Sequence, residues 1–498
     1  MKRRFKKSNY FPCKMDQLKT DLKEQYFKGS PDLSSKIIEQ QNNGCIIIFL
    51  DYLVDKQHLF DKVIKELQDT SELSNESIKE AIPISGVKEE KELENIGDEL
   101  LDGGVCAYIE GEQQALTIPI PRVEARQPER AETESLVFGP QISFTESIDI
   151  NLNIVHKRMN TDKLKVEKFV IGDTVPSEVR LVYLEDIANE DNVKEMRSRL
   201  EQLKVDDVLE SSTITQYIED NSYSIFPQFL VTELPDRFCY SLKEGRLGVL
   251  VDKSPSGVIA PTNFLSYFQS TEDLYTRWNM GAFIRVMRFV AMFASITLTP
   301  VYVAALTFHY EIIPEAMLVS LGHSRSRVPF PPLLEALILE IFIELIREAG
   351  ARLPTKVGQT MGIVGGIVIG QAIVEAGFTS NILIIIVAIS ALASFTAPSY
   401  LMGSAIRIIR FPIIVLAGLW GFLGIVFSMA FIIIHLIKQK SLNRPYLAPI
   451  YPTQPKDIDN SVIRLPFLFS NKRSYSNKPK EIKRFPKPPK KKKSDIDE

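Results

Sequence analysis

The chain has 498 residues, 45% of them hydrophobic, and a formal net charge of −3. That length allows several domains. Its four cysteines, Cys13, Cys45, Cys106 and Cys239, are far apart and form no CxxC. The five histidines lack metal-ligand spacing. Composition therefore excludes a disulfide framework and a conventionally spaced metal centre, and predicts buried reduced thiols.

The start, MKRRFKK, is basic like a signal peptide, but no apolar core or small-residue cleavage site follows it. No cleaved signal is expected, and the soluble region should remain cytosolic. Residues 1–30 read as a polar arm and 31–120 as a first α/β subdomain. Within it, helical patterning over 32–42 leads to the apolar run CIIIFLDYLV (45–54), which suits a buried strand. Helices are predicted near 58–69, 75–82 and 87–101. The strands VCAYIE and ALTIPI follow, with Gly111-Glu112 as their hairpin turn.

Residues 121–160 read as a polar linker and an amphipathic helix over 141–160. A second α/β subdomain runs over 161–262, with strands 165–171 and 178–184, helix 189–203 and strand 246–252. The turn 253–257 closes it. Such alternation favours a layered fold. No repeat between the two subdomains is visible.

Residues 263–282 are juxtamembrane, and 283–437 are mostly apolar. Five apolar stretches are candidates for membrane crossing: 289–308, 333–349, 358–376, 381–398 and 411–437. A crossing helix needs about 20 residues. Arg277, Arg285 and Arg288 precede the first stretch, and Lys438, Lys440, Arg444 and KPKEIKRFPKPPKKKK (478–493) follow the last. Basic flanks lie inside, so an even number of crossings is required. The connectors carrying Arg325, Arg327, Arg407 and Arg410 leave the orientation to these flanks. The segment 333–349 is short and acidic. The expectation is four spans plus one re-entrant or interfacial helix. The tail 438–498 is expected to be cytosolic, basic and disordered, resting on anionic lipid rather than nucleic acid.

Ionisable groups in a bilayer usually face a bundle interior or a water path. Glu340, Glu344 and Arg347 share one helical face and form a candidate polar lining of a pore. Internal pairing, Glu344 with Arg347 or Glu348, is the simpler alternative. Gln371 and Glu375 lie one turn apart and could form a polar ring in an oligomer. Gly358, Gly362, Gly366 and Gly370 recur every four residues, giving a smooth face for close helix packing. Pro300 and Pro314 free carbonyls near the first span. No GxxxxGK[ST], HExxH or GxSxG motif is present, so neither an enzyme nor a cofactor is expected.

Five segments carry a family resemblance: FGPQISFTESIDINLNIVHKR (138–158), FPQFLVTELPDR (226–237), GRLGVLVDKSP (245–255), VPFPPLLEALILEIFIELIREAGARLP (328–354) and GQTMGIVGGIVIGQAIVEAGFTS (358–380). Through them the chain resembles the A subunit of the GerA family of spore germination receptors, over roughly residues 31–470. The resemblance implies two cytosolic α/β subdomains and an α-helical membrane domain. It also implies a permease-like B subunit and a lipoprotein C subunit as partners in the spore inner membrane. By this resemblance the complex senses nutrients, and the A subunit is its homo-oligomeric, ion-releasing part. Gln141 departs from the family's basic residue after the Gly139-Pro140 pair. Two alternatives remain open: a non-conducting scaffold for the permease-like partner, and a secondary transporter subunit.

Overall fold

The computed structural model describes residues 14–27, 33–39, 44–70, 73–122, 130–131, 134, 136–352, 366, 370–467 and 469–485. Helix α1 (Met15–Asp21) precedes strands β1 (Leu33–Glu39) and β2 (Gly44–Leu50). Helix α2 (Lys56–Leu59) continues through Phe60–Ile64 to Lys65–Asp69 and is followed by α3 (Asn75–Ala81). Then come β3 (Lys88–Glu90), α4 (Leu93–Leu101), β4 (Gly104–Ile109) and β5 (Ala115–Pro119). The five strands form one antiparallel sheet in the order β1-β2-β4-β5-β3.

Two expectations fail here. Within the segment 32–42, the described residues 33–39 are a strand, because they pair with β2 from Leu33 opposite Leu50 to Glu39 opposite Gly44. A seven-residue run with adjacent Ile37 and Ile38 suits a pleated edge better than a helical face. The helix over 87–101 is interrupted: β3 first pairs with β5 as the other edge.

The second half retraces this path. Helix α5 (Ile148–Met159) precedes β6 (Leu164–Ile171) and β7 (Ser177–Leu184). Helices α6 (Glu190–Gln202) and α7 (Ser211–Ile218) follow, then β8 (Leu230–Thr232), α8 (Pro235–Lys243), β9 (Leu247–Val251) and β10 (Gly257–Ala260). The sheet order is β6-β7-β9-β10-β8, the same permutation as in the first half. A repeat of topology therefore exists where no sequence repeat is visible. Each sheet buries one face under its helix pair, giving the cores around Ile47 and Val63 and around Val249 and Met196. The opposite faces share a core with α5 between them, where Leu152 and Val155 are buried. Asn189 fixes the start of α6, accepting from the backbone of Asp191 (2.9 Å) and Asn192 (3.3 Å).

The helical region begins with α9 (Trp278–Phe308), 31 residues with Pro300 inside it. Then come α10 (Glu315–Arg325), α11 (Pro332–Arg352), α12 (Gly370–Glu375), α13 (Asn381–Ser394), α14 (Tyr400–Trp420) and α15 (Phe422–Lys438). Two of these, α9 and α14, are long and apolar enough to cross a membrane, with mean hydropathy 1.9 and 1.7. The stretch 411–437 is not one span. Gly421, at φ 60°, reverses the chain between α14 and α15. A side chain there would strike His309, and one at Gly424 would strike the backbone of Leu416. Arg407 and Arg410, expected in a connector, lie inside α14.

The start of α9 and the end of α15 both abut the second soluble subdomain. Arg285 and Arg288 on α9 hold Asp273, and His435 on α15 meets Ser224 at 2.9 Å. Call this end of the bundle proximal. The distal end gathers the end of α9, the turn at Gly421, the start of α11 and the start of α13. Helix α11, 21 residues long, runs along the bundle. Its Leu333 packs on Gly418 near the distal end of α14, and its Arg347 reaches Ser394 at the proximal end of α13. After α12, Gly377 lies against the backbone of Arg327.

The described part of the tail runs to Phe485 and folds onto the second subdomain, contrary to the expected disorder of 438–498; residues 468 and 486–498 lie outside the described residues. Strands β11 (Lys440–Ser441) and β12 (Arg444–Pro445) form a hairpin, and helix α16 (Pro455–Val462) follows. Tyr446 and Leu442 are buried against the second subdomain. Ser441 Oγ donates to the backbone oxygen of Gln228 (2.7 Å), and Arg444 binds Asn192 (2.8 Å). Apolar anchors among the basic residues account for this order.

Candidate functional site

Helix α11 sets three glutamates, Glu335, Glu340 and Glu344, at successive depths along the bundle. Each meets an arginine. Distally, Glu335 is fully buried; its Oε1 accepts from Ser380 N (2.6 Å) and Thr379 Oγ1 (3.0 Å), and Arg325 stands 3.6 Å from Oε2. In the middle, Glu340 Oε2 accepts from Arg410 Nη1 at 2.7 Å, with both side chains at most 2% exposed. Thr299 Oγ1 donates to Glu340 Oε1 (3.0 Å), and Arg410 Nη2 donates to Ser295 Oγ (2.7 Å). Proximally, Glu344 Oε1 lies 3.0 Å from Arg347 and 3.5 Å from Arg407. Arg347 also covers the Phe395 ring at 4.4 Å.

The 21-residue α11 can carry this charge because its neighbours supply the partners. Helices α9, α13 and α14 pack around it and contribute Thr299, Ser295, Ser390, Ser394, Arg407 and Arg410. A buried ion pair is expensive to desolvate, and removing one member strands the other at about 3–5 kcal/mol. The Nε of Arg410 has no hydrogen-bond partner. The arrangement can hold charge in a dry core and can exchange partners between neighbouring levels. It contains no nucleophile–base pair, and no metal-binding group of His, Cys, Asp and Glu occurs among the described residues.

Of the residues singled out in the sequence, Glu340, Glu344 and Arg347 come together in this ladder. Gln371 and Glu375 do not join it. They bond each other at 2.9 Å on the exposed side of α12. A side chain at Gly366 or Gly370 would meet nothing within 4 Å, so neither glycine packs against a described helix of its own chain. Gly358 and Gly362 lie outside the described residues. Gln141 donates to Leu136 O at 3.0 Å in a loop. Sequence reasoning does not find Arg410, Arg407, Arg325 and Glu335 as pair members. The signal is there: lone arginines in an apolar helix require carboxylates, and α11 is where the apolar region carries them.

The segment FPQFLVTELPDR also has a structural role. Gln228 is fully buried and exchanges bonds with the backbone of Asn221 (2.9 and 2.6 Å). Arg237 pairs with Glu134, and Asp236 with Arg158 and Tyr275.

Known proteins resemble the chain along most of its length. Residues 20–476 match the family described as Bacillus/Clostridium GerA spore germination protein. Spore germination protein GerQA of Bacillus cereus is 44% identical over 93% of each chain. Spore germination protein GerIA of Bacillus cereus is 41% identical over 87% of this chain and 65% of its own length. Spore germination protein A1 of Bacillus subtilis is 36% identical over 88% of this chain and 90% of its own. The N-terminal domain of the A subunit of the Bacillus megaterium spore germinant receptor GerK3 is 28% identical. It covers 49% of this chain and 94% of that one, with a TM-score of 0.39. With its matched span, its relatives and its helical region, the chain belongs to the GerA family of spore germination proteins.

Proposed function

We propose that the chain is the A subunit of a nutrient-sensing germination receptor in the spore inner membrane. It acts without enzymatic chemistry, beside a permease-like B subunit and a lipoprotein C subunit. The helical region crosses the membrane an even number of times, with both soluble flanks on the cytoplasmic side. Support comes from the proximal placement of both its ends.

The observation that carries the reading is the ion-paired ladder of α11, with the dry Glu340–Arg410 pair at its middle. In a two-state gate such a pair holds the closed arrangement, and partner exchange with Glu344 and Arg407 accompanies opening. The ion path lies between copies of the chain. A side chain at Gly370 would meet nothing within 4 Å, and Gln371 and Glu375 beside it on α12 are exposed, which suits contact with a second copy. The complete pairing of the α11 carboxylates also favours a second reading, a non-conducting scaffold.

Ion release from liposomes holding the reconstituted receptor separates the two. Wild type should release ions on nutrient addition. Glu340→Gln and Arg410→Met should each change the response at least tenfold, since stranding one partner costs about 3–5 kcal/mol. The charge exchange Glu340→Arg with Arg410→Glu should restore part of it. No nutrient-dependent flux from folded wild-type receptor would leave the scaffold reading standing.

A further inference from the structure

A cavity of about 130 Å³ lies where the second soluble subdomain, the tail and the start of α9 meet. Six arginines line it: Arg237, Arg246, Arg285, Arg464, Arg473 and Arg484. Glu244 and Asp457 are the acidic residues in the lining. Glu244 is engaged by Arg484, and Asp457 accepts from Ser474 Oγ (2.8 Å) and Ser476 N (3.0 Å). Arg237 and Arg285 have carboxylates outside the cavity, Glu134 and Asp273.

Two arginines have no carboxylate among the described residues. Arg464, 5% exposed, spends Nη1 and Nη2 on the backbone oxygens of Thr276 (2.5 Å) and Leu274 (3.1 Å), and its Nε has no partner. Arg246 donates Nη2 to Ser266 Oγ (2.8 Å), and its Nε also has no partner. The hydroxyl of Thr271, a residue 4% exposed, is a third orphan in the same lining. Buried cations without counter-charge are costly. Burial pushes Arg246 down to about 10, which leaves it charged at neutral pH. Two guanidinium groups with an unmet Nε and the unmet Thr271 hydroxyl, all on residues lining one arginine-rich cavity, suit an anion with several acceptor oxygens, and guanidinium groups match phosphate oxygens in particular.

We propose that this cavity binds a phosphate group, with Arg246, Arg464 and Thr271 as its donors. Its position at the foot of α9 admits two sources of that chemistry, a soluble phosphate compound and the headgroup of an anionic phospholipid. An anion there would join the soluble half, the tail and the first long helix through one set of charges.

The test uses the full chain in detergent, in buffer free of phosphate and sulfate. Its thermal midpoint is followed with inorganic phosphate, with short-chain phosphatidylglycerol, and with potassium chloride at matched ionic strength. Binding of radiolabelled phosphate by equilibrium dialysis gives a direct reading on wild type. Phosphate, phosphatidylglycerol or both should raise the midpoint, and chloride should not. A shift with the lipid alone assigns the headgroup, and a shift with inorganic phosphate assigns a soluble ligand. Arg246→Gln should keep the unliganded midpoint, because it removes an unpaired charge, and should weaken binding roughly ten- to hundredfold. Arg246→Lys should keep most of the binding and serves if the glutamine variant misfolds. No shift from either phosphate source, an equal shift with chloride, or undiminished binding in Arg246→Gln overturns the proposal.

Discussion

The two halves of the soluble region follow one path and make different attachments. Both run helix, two strands, helical pair, strand, helix, two strands, and both sheets take the same permuted order. Among the described contacts, the first half meets the rest of the chain across the α5 seam, for example where Tyr52 lies against His156. The second half is joined to the bundle through Ser224 and through the juxtamembrane segment that carries Asp273, and to the tail through Gln228 and Tyr446. Equal topology therefore does not mean equal function. The second half meets α9 and α15 through buried polar groups together with ring contacts such as Phe226 on His435 and Phe268 on Phe289.

The sharpest way to break this contrast is Asp273→Ala. Asp273 is 1% exposed and holds Arg288 Nη1 at 2.7 Å and Arg285 Nε at 3.2 Å. Its loss strands two buried cations, at about 3–5 kcal/mol. Hydrogen exchange on the full chain should show protection falling in the second half and at the start of α9, with the sheet β1–β5 unchanged. Equal loss in both halves would mean that they are coupled as strongly as the second half and the bundle.

Titration sharpens the contrast next. His156, at the seam, is buried and pushed down from 6.5 to about 4. The unfolded chain therefore takes up a proton that the folded chain refuses. The stability it contributes is full above about pH 6.5 and is lost as pH falls toward 4. Glu219, in the second half, is pushed up by burial from 4.5 to about 7. Its contribution is full below pH 4.5 and is lost as pH rises through 7. Each is worth at most about 3 kcal/mol, at 1.36 kcal/mol per unit. The two oppose each other between pH 4.5 and 6.5. His156→Phe should remove the acid-side loss and Glu219→Gln the loss on the other side, each read from exchange protection across pH. Parallel pH profiles in the two variants would refute this assignment.

Part of this organisation is legible in the sequence, and the reasons are physical. The run 45–50, the hairpin at Gly111 and the helix over 190–202 carry strong local patterns, and all three are present. The strands β3, β8 and β10 are short and gain their state from a neighbour's edge, which local pattern does not report. The shared topology of the halves is invisible because strand order, not residue identity, is what repeats. On α11 the charged face is readable, but its meaning is not. Glu340 needs Arg410, 70 residues away, and that arginine sits in a stretch whose pattern suggests a connector. The turn at Gly421 hides because the residues on both sides are apolar, so hydropathy runs through it. In the tail, Leu442 and Tyr446 are outweighed by the surrounding lysines and prolines, though burial of those two residues is what orders the segment.

The last of the three effects concerns the join between the second half and the tail. Gln228 is fully buried, and both ends of its amide meet the Asn221 backbone, while its own backbone oxygen accepts from Thr262 Oγ1 (2.5 Å) and Ser441 Oγ (2.7 Å). Gln228→Ala leaves the backbone bonds in place but strands a buried N–H and C=O at Asn221. Each unmet group costs about 1–3 kcal/mol. Asn221 in turn reaches Gln439 at 3.5 Å, so the loosened loop is the one that receives the tail. Limited proteolysis should then cut first between 439 and 485, with the helical bundle and the first half still resistant. Gln228→Glu is the informative control, because it keeps the shape and the acceptor but loses the donor to Asn221 O. It should loosen the tail as well. If both variants leave the tail as resistant as in wild type, the amide is not what holds the join, and the buried ring of Tyr446 against the Pro227 backbone becomes the anchor to remove next.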